Sequence, residues 1–290
     1  MTQAKILLTG ATGTVGTQLV KKLVASDTQF KALVRNNDNG DLLKTLPQAE
    51  VVIGDLSDPS SIANIFEGIE KAFLLTNSSE QAEQLQLNFV EAAQQAGVKH
   101  IVKLSQFAAE ENSPVRFLRY HARVEKRIKE TGVAYTFLRP NLYMQGLLAF
   151  KDYIKAEGKF YASAGTAPIS AVDVRDIASV AAKALTEPGH ENKTYNITGE
   201  EALTHYEMAA ILSRVLGREI AFIDVAPEQM GSALRAAGFP EWQVGGLIED
   251  YAHYARGEAA EVYDTVCGVT AESARSFEQF VEDYSVLFNK

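Results

Sequence analysis

The chain has 290 residues, of which 46% are apolar and 22% are charged, and its formal net charge is −9. This length corresponds to about two domains, and the composition is that of a folded globular protein rather than of a disordered chain. A single Cys excludes a disulfide scaffold, the acidic balance argues against a nucleic-acid-binding protein, and no apolar run approaches the ~18–20 residues of a membrane span.

Two further features of the composition indicate location and organisation. The first five residues lead directly into an apolar segment without the pattern of a secretory leader, so we expect a cytoplasmic protein. Residues 1–140 carry a net charge of +1 and residues 141–290 a net charge of −10. This asymmetry predicts two regions with different roles.

The first half of the chain alternates short apolar runs with amphipathic segments. The runs predict strands at 5–8, 30–34, 50–53, 72–75, 100–104 and 135–138. Helices are predicted between them at 13–25, 57–66, 81–96 and 115–130, with a short helix near 42–46. Strands that alternate with helices predict parallel βαβ units, and therefore a Rossmann-type, doubly wound α/β fold.

The second half is less regular. It predicts helices at 146–156, 174–185, 206–216, 227–237, 242–256 and 273–288, and a strand at 194–197. We interpret residues 1–150 as a dinucleotide-binding domain and residues 151–290 as a smaller α/β substrate domain. Part of 169–198, including the strand at 194–197, is expected to return to the main sheet.

The strongest chemical signal is the segment Gly10-Ala11-Thr12-Gly13-Thr14-Val15-Gly16, which lies between a predicted strand and a predicted helix. In this spacing Gly10 allows a tight turn, Gly13 lets the backbone approach a pyrophosphate, and Gly16 allows close packing of the helix. The helix N-terminus, with Thr14 and Val15, then offers free N–H groups to a phosphate. A purely structural glycine-rich turn is the alternative.

The end of the second predicted strand distinguishes between the two nicotinamide cofactors. Arg35 stands there, where an acidic residue would bind the ribose hydroxyls of NAD. A guanidinium is a natural partner for the 2′-phosphate of NADP. We therefore predict NADP(H) rather than NAD(H), the alternative being a solvated surface Arg.

Polar residues also follow the other predicted strands, at the sheet edge where open α/β folds bind ligands. Asp55, beside Leu56, is placed to bind an adenine amine or to cap the next helix. Thr76, Asn77 and Ser105 either contact the cofactor or form ordinary turns. The five His residues form no metal-binding pattern, so we expect no metal site.

Taken together, these segments resemble the NmrA-like atypical short-chain dehydrogenase/reductases, and in particular the branch of bacterial triphenylmethane reductase and NADPH:quinone oxidoreductase. The resemblance rests on residues 10–16, 33–36, 54–56, 97–101, 137–143 and 190–196. It implies an NADP(H)-binding domain with a smaller domain closing a substrate cleft. It also places Arg35 at the 2′-phosphate, Thr76 and Asn77 along the cofactor, and Pro140, Asn141 and Tyr143 near the nicotinamide and the substrate.

The Tyr-x-x-x-Lys pair of ordinary short-chain dehydrogenases is missing from this sequence: Tyr120 is followed four positions later by Val124. His121 and Glu125 share one helix face and could be an acid/base pair, a ribose contact, a helix salt bridge, or unrelated to the site. Tyr143 and His121 are therefore the catalytic candidates. The missing pair disfavours reactions that need a positioned proton donor, but not hydride transfer to an acceptor that takes charge readily.

Two functions follow from these features. The first is an NADPH-dependent reductase of a small aromatic, quinone-like, azo or dye-like electrophile, for which a homodimer is the candidate assembly. The second is an NADP(H)-binding redox sensor that regulates a partner with little or no catalysis.

Overall fold

The computed structural model describes residues 4–36 and 40–289. The chain forms two compact units, and each is described separately below. Unit 1 consists of the described residues up to Asn112 together with Leu118–Arg139 and Ile177–Tyr195. Unit 2 consists of Ser113–Phe117, Pro140–Asp176 and the residues from Asn196 onward.

A seven-stranded sheet with the order β3-β2-β1-β4-β5-β6-β8 organises unit 1. Its strands are β1 (Ile6–Leu8), β2 (Phe30–Val34), β3 (Ala49–Ile53), β4 (Lys71–Leu74), β5 (His100–Leu104), β6 (Ala134–Pro140) and β8 (Lys193–Ile197). The pairs from β3 through β6 are all parallel. The predicted Rossmann-type α/β fold is therefore confirmed, and the strand predicted at 194–197 corresponds to β8.

The helices of unit 1 follow the predicted segments closely. They are α1 (Thr14–Ala25), α2 (Pro59–Ile62), α3 (Ala82–Gln95) and α4 (Arg116–Glu130), whose first residues belong to unit 2, with a 3-10 turn at Leu43–Thr45. The helix predicted at 57–66 is shorter than expected. It begins with Asp58 as N-cap and Pro59 at its first position, and tighter turns such as Ile65 N to Ile62 O replace it after Ile62.

Burial on both faces explains why the central strands are so apolar. All residues of β1, β2 and β5 are buried, as expected for a parallel sheet covered by helices. One side of the core contains Phe66, Phe89 and Phe137. Strand order reverses at β1, which lies between β2 and β4, so the carboxyl end of β1 is the topological switch point where such folds bind ligands.

Unit 2 contains a small parallel sheet and most of the remaining helices. Its strands β7 (Lys159–Ala162) and β9 (Ala221–Asp224) were not predicted from sequence. The helices of the second half are α5 (Lys151–Glu157), α6 (Val174–Thr186), α7 (His205–Leu216), α8 (Pro227–Ala236), α9 (Glu241–Ala255), α10 (Thr265–Thr270) and α11 (Phe277–Phe288), with a 3-10 segment at Met144–Phe150. The helix predicted at 146–156 is thus a 3-10 segment continued by α5, and α6 lies mostly in unit 1.

Aromatic and aliphatic side chains from these elements form a separate core in unit 2, which includes Phe160, Phe222, Met208, Phe277 and Phe280. No helix within the described parts of the chain has both the length and the apolar character needed to cross a membrane.

Candidate functional site

The glycine segment forms a compact loop at the switch point, and two of its glycines are required by geometry. Gly10 has φ of +65°, a left-handed conformation that glycine adopts without strain. A Cβ atom on Gly16 would lie 1.9 Å from the carbonyl oxygen of Gly10. The start of α1 therefore approaches the loop more closely than any other residue type would allow.

Thr9 connects this loop to the neighbouring strand. Its hydroxyl donates to the carbonyl of Leu75 at 2.8 Å and accepts from the amide of Leu75 at 2.7 Å. Its own amide donates to Phe73 O at 3.0 Å. These bonds hold the carboxyl ends of β1 and β4 in register and fix the direction in which the loop leaves the sheet.

The start of α1 is open to a ligand. Gly13 is the N-cap and provides no side chain, and the first turn contains no acidic residue. Thr12, Gly13 and Thr14 are exposed, whereas Val15 is buried and anchors the turn to the core. In a helix the first N–H groups have no internal acceptor, and the helix dipole favours an anion beside them. This geometry suits a phosphate group.

Arg35 and Asp55 lie at the same edge of the sheet, after β2 and β3. Val34 pairs with Ile53, so these two residues follow adjacent strand ends. Hydrogen bonds from the Ser57 amide and hydroxyl, both 2.8 Å from Asp55 Oδ1, lower the pKa of the Asp55 carboxyl, with a smaller contribution from the Arg35 charge. Asp55 thus supports a turn, and the cap of the next helix is Asp58, whose carboxylate accepts from the Ser60 amide.

Thr76, which follows β4 closely, is oriented by a buried glutamine. Gln86 Nε2 donates to Thr76 Oγ1 at 2.8 Å, so the Thr76 hydroxyl proton remains available to another acceptor. Asn77 beside it is exposed.

Leu56, which follows β3 beside Asp55, is half-buried. Its carbonyl oxygen accepts a hydrogen bond from Asn88 Nδ2 at 2.8 Å.

Ser105, after β5, belongs to a buried charged group. Its hydroxyl donates to Glu125 Oε1 at 2.5 Å, and Arg139 binds both carboxylate oxygens of Glu125 at 2.9 and 2.5 Å. The glutamate is buried, and a buried carboxylate without such hydrogen-bond partners would destabilise the fold. Because its proton is committed to Glu125, Ser105 could only accept a hydrogen bond from a ligand.

Beside this group lies a lysine that sequence reasoning missed. Lys103 is fully buried in β5, and its Nζ lies 2.7 Å from His121 Nδ1. Burial lowers the pKa of Lys103 to about 7, with Arg139 lowering it further and Glu125 opposing the shift. The available signal was a lone lysine among the apolar residues Ile101, Val102 and Leu104 of β5.

The partners of His121 exclude one of the alternatives left open for it. No ion pair joins it to Glu125 within the described residues, so the helix salt bridge was wrong. Burial, and then the charges of Lys103 and Arg139, hold the pKa of His121 well below its usual value. The imidazole is therefore neutral, and its Nδ1 shares a hydrogen bond with Lys103 Nζ.

In unit 2 the three predicted residues at the end of β6 and just after it have different environments. Pro140 is buried. Asn141 is also buried, and its Nδ2 donates to Ser170 Oγ at 2.8 Å and to Ala259 O at 2.9 Å. The hydrogen-bond donors of this amide are thus occupied, which favours a structural role over cofactor contact. Tyr143 is half-buried and borders an apolar pocket.

Comparison with known proteins assigns a family to this arrangement. The NmrA-like family model matches residues 2–282. An NAD(P)H azoreductase from Xenophilus azovorans is 36% identical over 283 residues, which cover 98% of this chain and 99% of that protein.

Two solved structures resemble the chain along its whole length. The NADPH-dependent quinone oxidoreductase of Escherichia coli in complex with NADPH has a TM-score of 0.88 at 28% identity, covering 98% of this chain and 100% of that one. The Citrobacter sp. triphenylmethane reductase complexed with NADP(H) has a TM-score of 0.83 at 32% identity, covering 96% and 99%.

The buried lysine predicts a specific pH dependence of stability. The pKa of Lys103 is about 7 in the folded protein and 10.5 for an ordinary, solvated lysine. Between these pH values the unfolded chain therefore binds more protons than the folded chain. The free energy of unfolding of the wild type should therefore contain a term that increases as the pH rises from 7 towards 10. Lys103→Met should remove this term. From pH 7 to pH 9 the free energy of unfolding of the wild type should therefore increase by about 1–2 kcal/mol relative to that of the variant.

Urea unfolding at both pH values measures this difference. Lys21→Met, an exposed site on α1, is the matched control and should track the wild type. A Lys103→Met variant whose unfolding free energy follows the wild type in parallel from pH 7 to pH 9 would contradict the prediction.

Proposed function

The chain belongs to the NmrA-like family, and we propose that it is an NADPH-dependent reductase that transfers a hydride to a quinone-like, azo or dye-like electrophile. The observation that carries the proposal is the glycine loop at the switch point, where Gly16 brings the uncapped start of α1 against Gly10. The named activities of the azo, quinone and dye reductases that the chain resembles support the class of acceptor.

The residues present fit the cofactor. The first N–H groups of α1 would hold the pyrophosphate, because they are exposed to an anion and no acidic side chain competes for them. Arg35 would bind the 2′-phosphate by charge-assisted hydrogen bonds. Thr76, with its hydroxyl proton free to donate, would contact the cofactor along the sheet edge. When bound, the nicotinamide supplies the hydride.

We further propose that the reaction proceeds without a Tyr-x-x-x-Lys pair. Tyr120 shares a hydrogen bond of 3.1 Å with Ser78 Oγ, and its i+4 neighbour is Val124. His121, neutral and bound to Lys103, is a poor acid at neutral pH, so we assign it a positioning role. Quinones, azo groups and cationic dyes accept a hydride without prior protonation by a strong acid. Tyr143 remains the candidate for contact with the substrate.

The proposal predicts NADPH oxidation with at least one member of a panel of quinones, azo dyes and triphenylmethane dyes. Loss of the reduced-nicotinamide absorbance measures the turnover, and product analysis shows hydroquinone, hydrazo compound or leuco dye. Cofactor binding without turnover on the whole panel would contradict a reductase and favour the redox sensor.

Arg35→Glu should weaken NADPH binding by at least about tenfold and leave NADH binding nearly unchanged, because only NADPH carries the 2′-phosphate. Equilibrium dissociation constants for both cofactors check this. Lys21→Glu makes the same change of charge at an exposed site on α1 and should affect neither cofactor to this extent. An equal loss of affinity for NADPH and NADH would show that Arg35 does not bind the 2′-phosphate.

A further inference from the structure

A glutamine interrupts the apolar face of α3. The other buried residues of this helix are Ala82, Phe89, Val90 and Ala93, and Gln86 stands between them at the same helical spacing. Gln86 is 1% exposed. A buried helix face is expected to be apolar throughout, because a buried polar group lowers stability unless its hydrogen bonds are satisfied. Packing alone therefore does not explain a glutamine at this position.

The amide of this glutamine is only partly satisfied. Its Nε2 donates to Thr76 Oγ1 at 2.8 Å. Its Oε1 is buried and has no hydrogen-bond partner among residues 4–36 and 40–289. Because this oxygen is enclosed by the protein, it is not itself a ligand-binding atom, and its burial without a partner destabilises the fold. The amide therefore lowers stability and provides one bond, to Thr76.

The fold does not depend on that bond. Thr76 is half-buried and lies just beyond the carboxyl end of β4, at the edge where open α/β sheets bind ligands. A half-buried hydroxyl at such an edge can bond to water instead. What the glutamine adds is orientation, because it occupies a lone pair of Thr76 Oγ1 and leaves the hydroxyl proton to another acceptor.

We infer that Gln86 is a positioning residue for the cofactor: it holds the Thr76 hydroxyl so that the proton points to an oxygen atom of the bound dinucleotide. The inference rests on the proposed function, in which Thr76 contacts NADPH. A hydroxyl that is already oriented loses less freedom when a ligand binds, so its bond to that ligand contributes more to affinity. The buried amide thus lowers the stability of the fold and raises the affinity for the cofactor.

Gln94 provides a matched control on the same helix. Its Nε2 also donates to a residue outside the helix, the carbonyl oxygen of Thr131 at 3.2 Å. Thr131 precedes β6 whereas Thr76 follows β4, so the two bonds lie at opposite edges of the parallel sheet. Gln86→Met and Gln94→Met make the same change, and methionine keeps the unbranched shape of glutamine.

Equilibrium binding of NADPH to the full chain and urea unfolding without cofactor test the inference together. Gln86→Met should bind NADPH about fivefold more weakly, yet unfold at the same or a higher urea concentration than the wild type. Thr76→Val should weaken binding by a similar factor, whereas Thr76→Ser keeps the hydroxyl and should stay within about twofold of the wild type. The double variant Gln86→Met/Thr76→Val should bind no more weakly than Thr76→Val alone, because the glutamine acts through the threonine. Gln94→Met should leave NADPH affinity unchanged.

Wild-type NADPH affinity in Gln86→Met would overturn the inference, as would independent losses of affinity that multiply in the double variant. Weaker binding together with a lower unfolding midpoint of Gln86→Met would also contradict it, because the residue would then serve the fold. These measurements involve no electron acceptor. Coupled losses in a protein that reduces nothing would therefore defeat only the proposed reductase, and independent losses in an active reductase would defeat only this inference.

Discussion

The contact on which the binding edge of unit 1 depends is between two pieces of backbone. The start of α1 reaches the Gly10 carbonyl so closely that Gly16 has no room for a side chain. Thr9 holds the same loop against β4, so the helix N-terminus has a fixed position at the switch point. Since a helix N-terminus attracts anions only where its N–H groups are accessible, this contact gives the crossover a geometry that suits a phosphate group.

The sheet edge then determines which side chains can act together. Parallel strands end at one edge, which brings Arg35, Thr76 and Ser105 to the same side of unit 1 although they are distant in sequence. The interior behind that edge is unusually polar for a core: Lys103, His121 and Glu125 are all buried there, Lys103 in contact with His121 and Glu125 with Arg139. In this set His121 is neutral, which explains why it fits a positioning role better than that of an acid.

Much of unit 1 could be predicted because its signals are local. Apolar runs bounded by turns, and the glycine loop between β1 and α1, identify parallel βαβ units directly. Unit 2 was harder: β7 and β9 have only four residues each and pair across a long stretch of chain. The sequence also could not predict which polar side chains pair. His121 and Glu125 have the i, i+4 spacing of a helix salt bridge, but His121 contacts Lys103 and Glu125 binds Arg139.

The most direct test of the account is the NADPH dissociation constant of Gly16→Ala beside that of Gly268→Ala, with circular dichroism to show that both are folded. The added Cβ must push α1 away from the Gly10 carbonyl, whereas the same change at Gly268 meets open space. The account predicts binding at least about tenfold weaker for Gly16→Ala and unchanged for Gly268→Ala. Wild-type affinity for NADPH in a folded Gly16→Ala protein would contradict it.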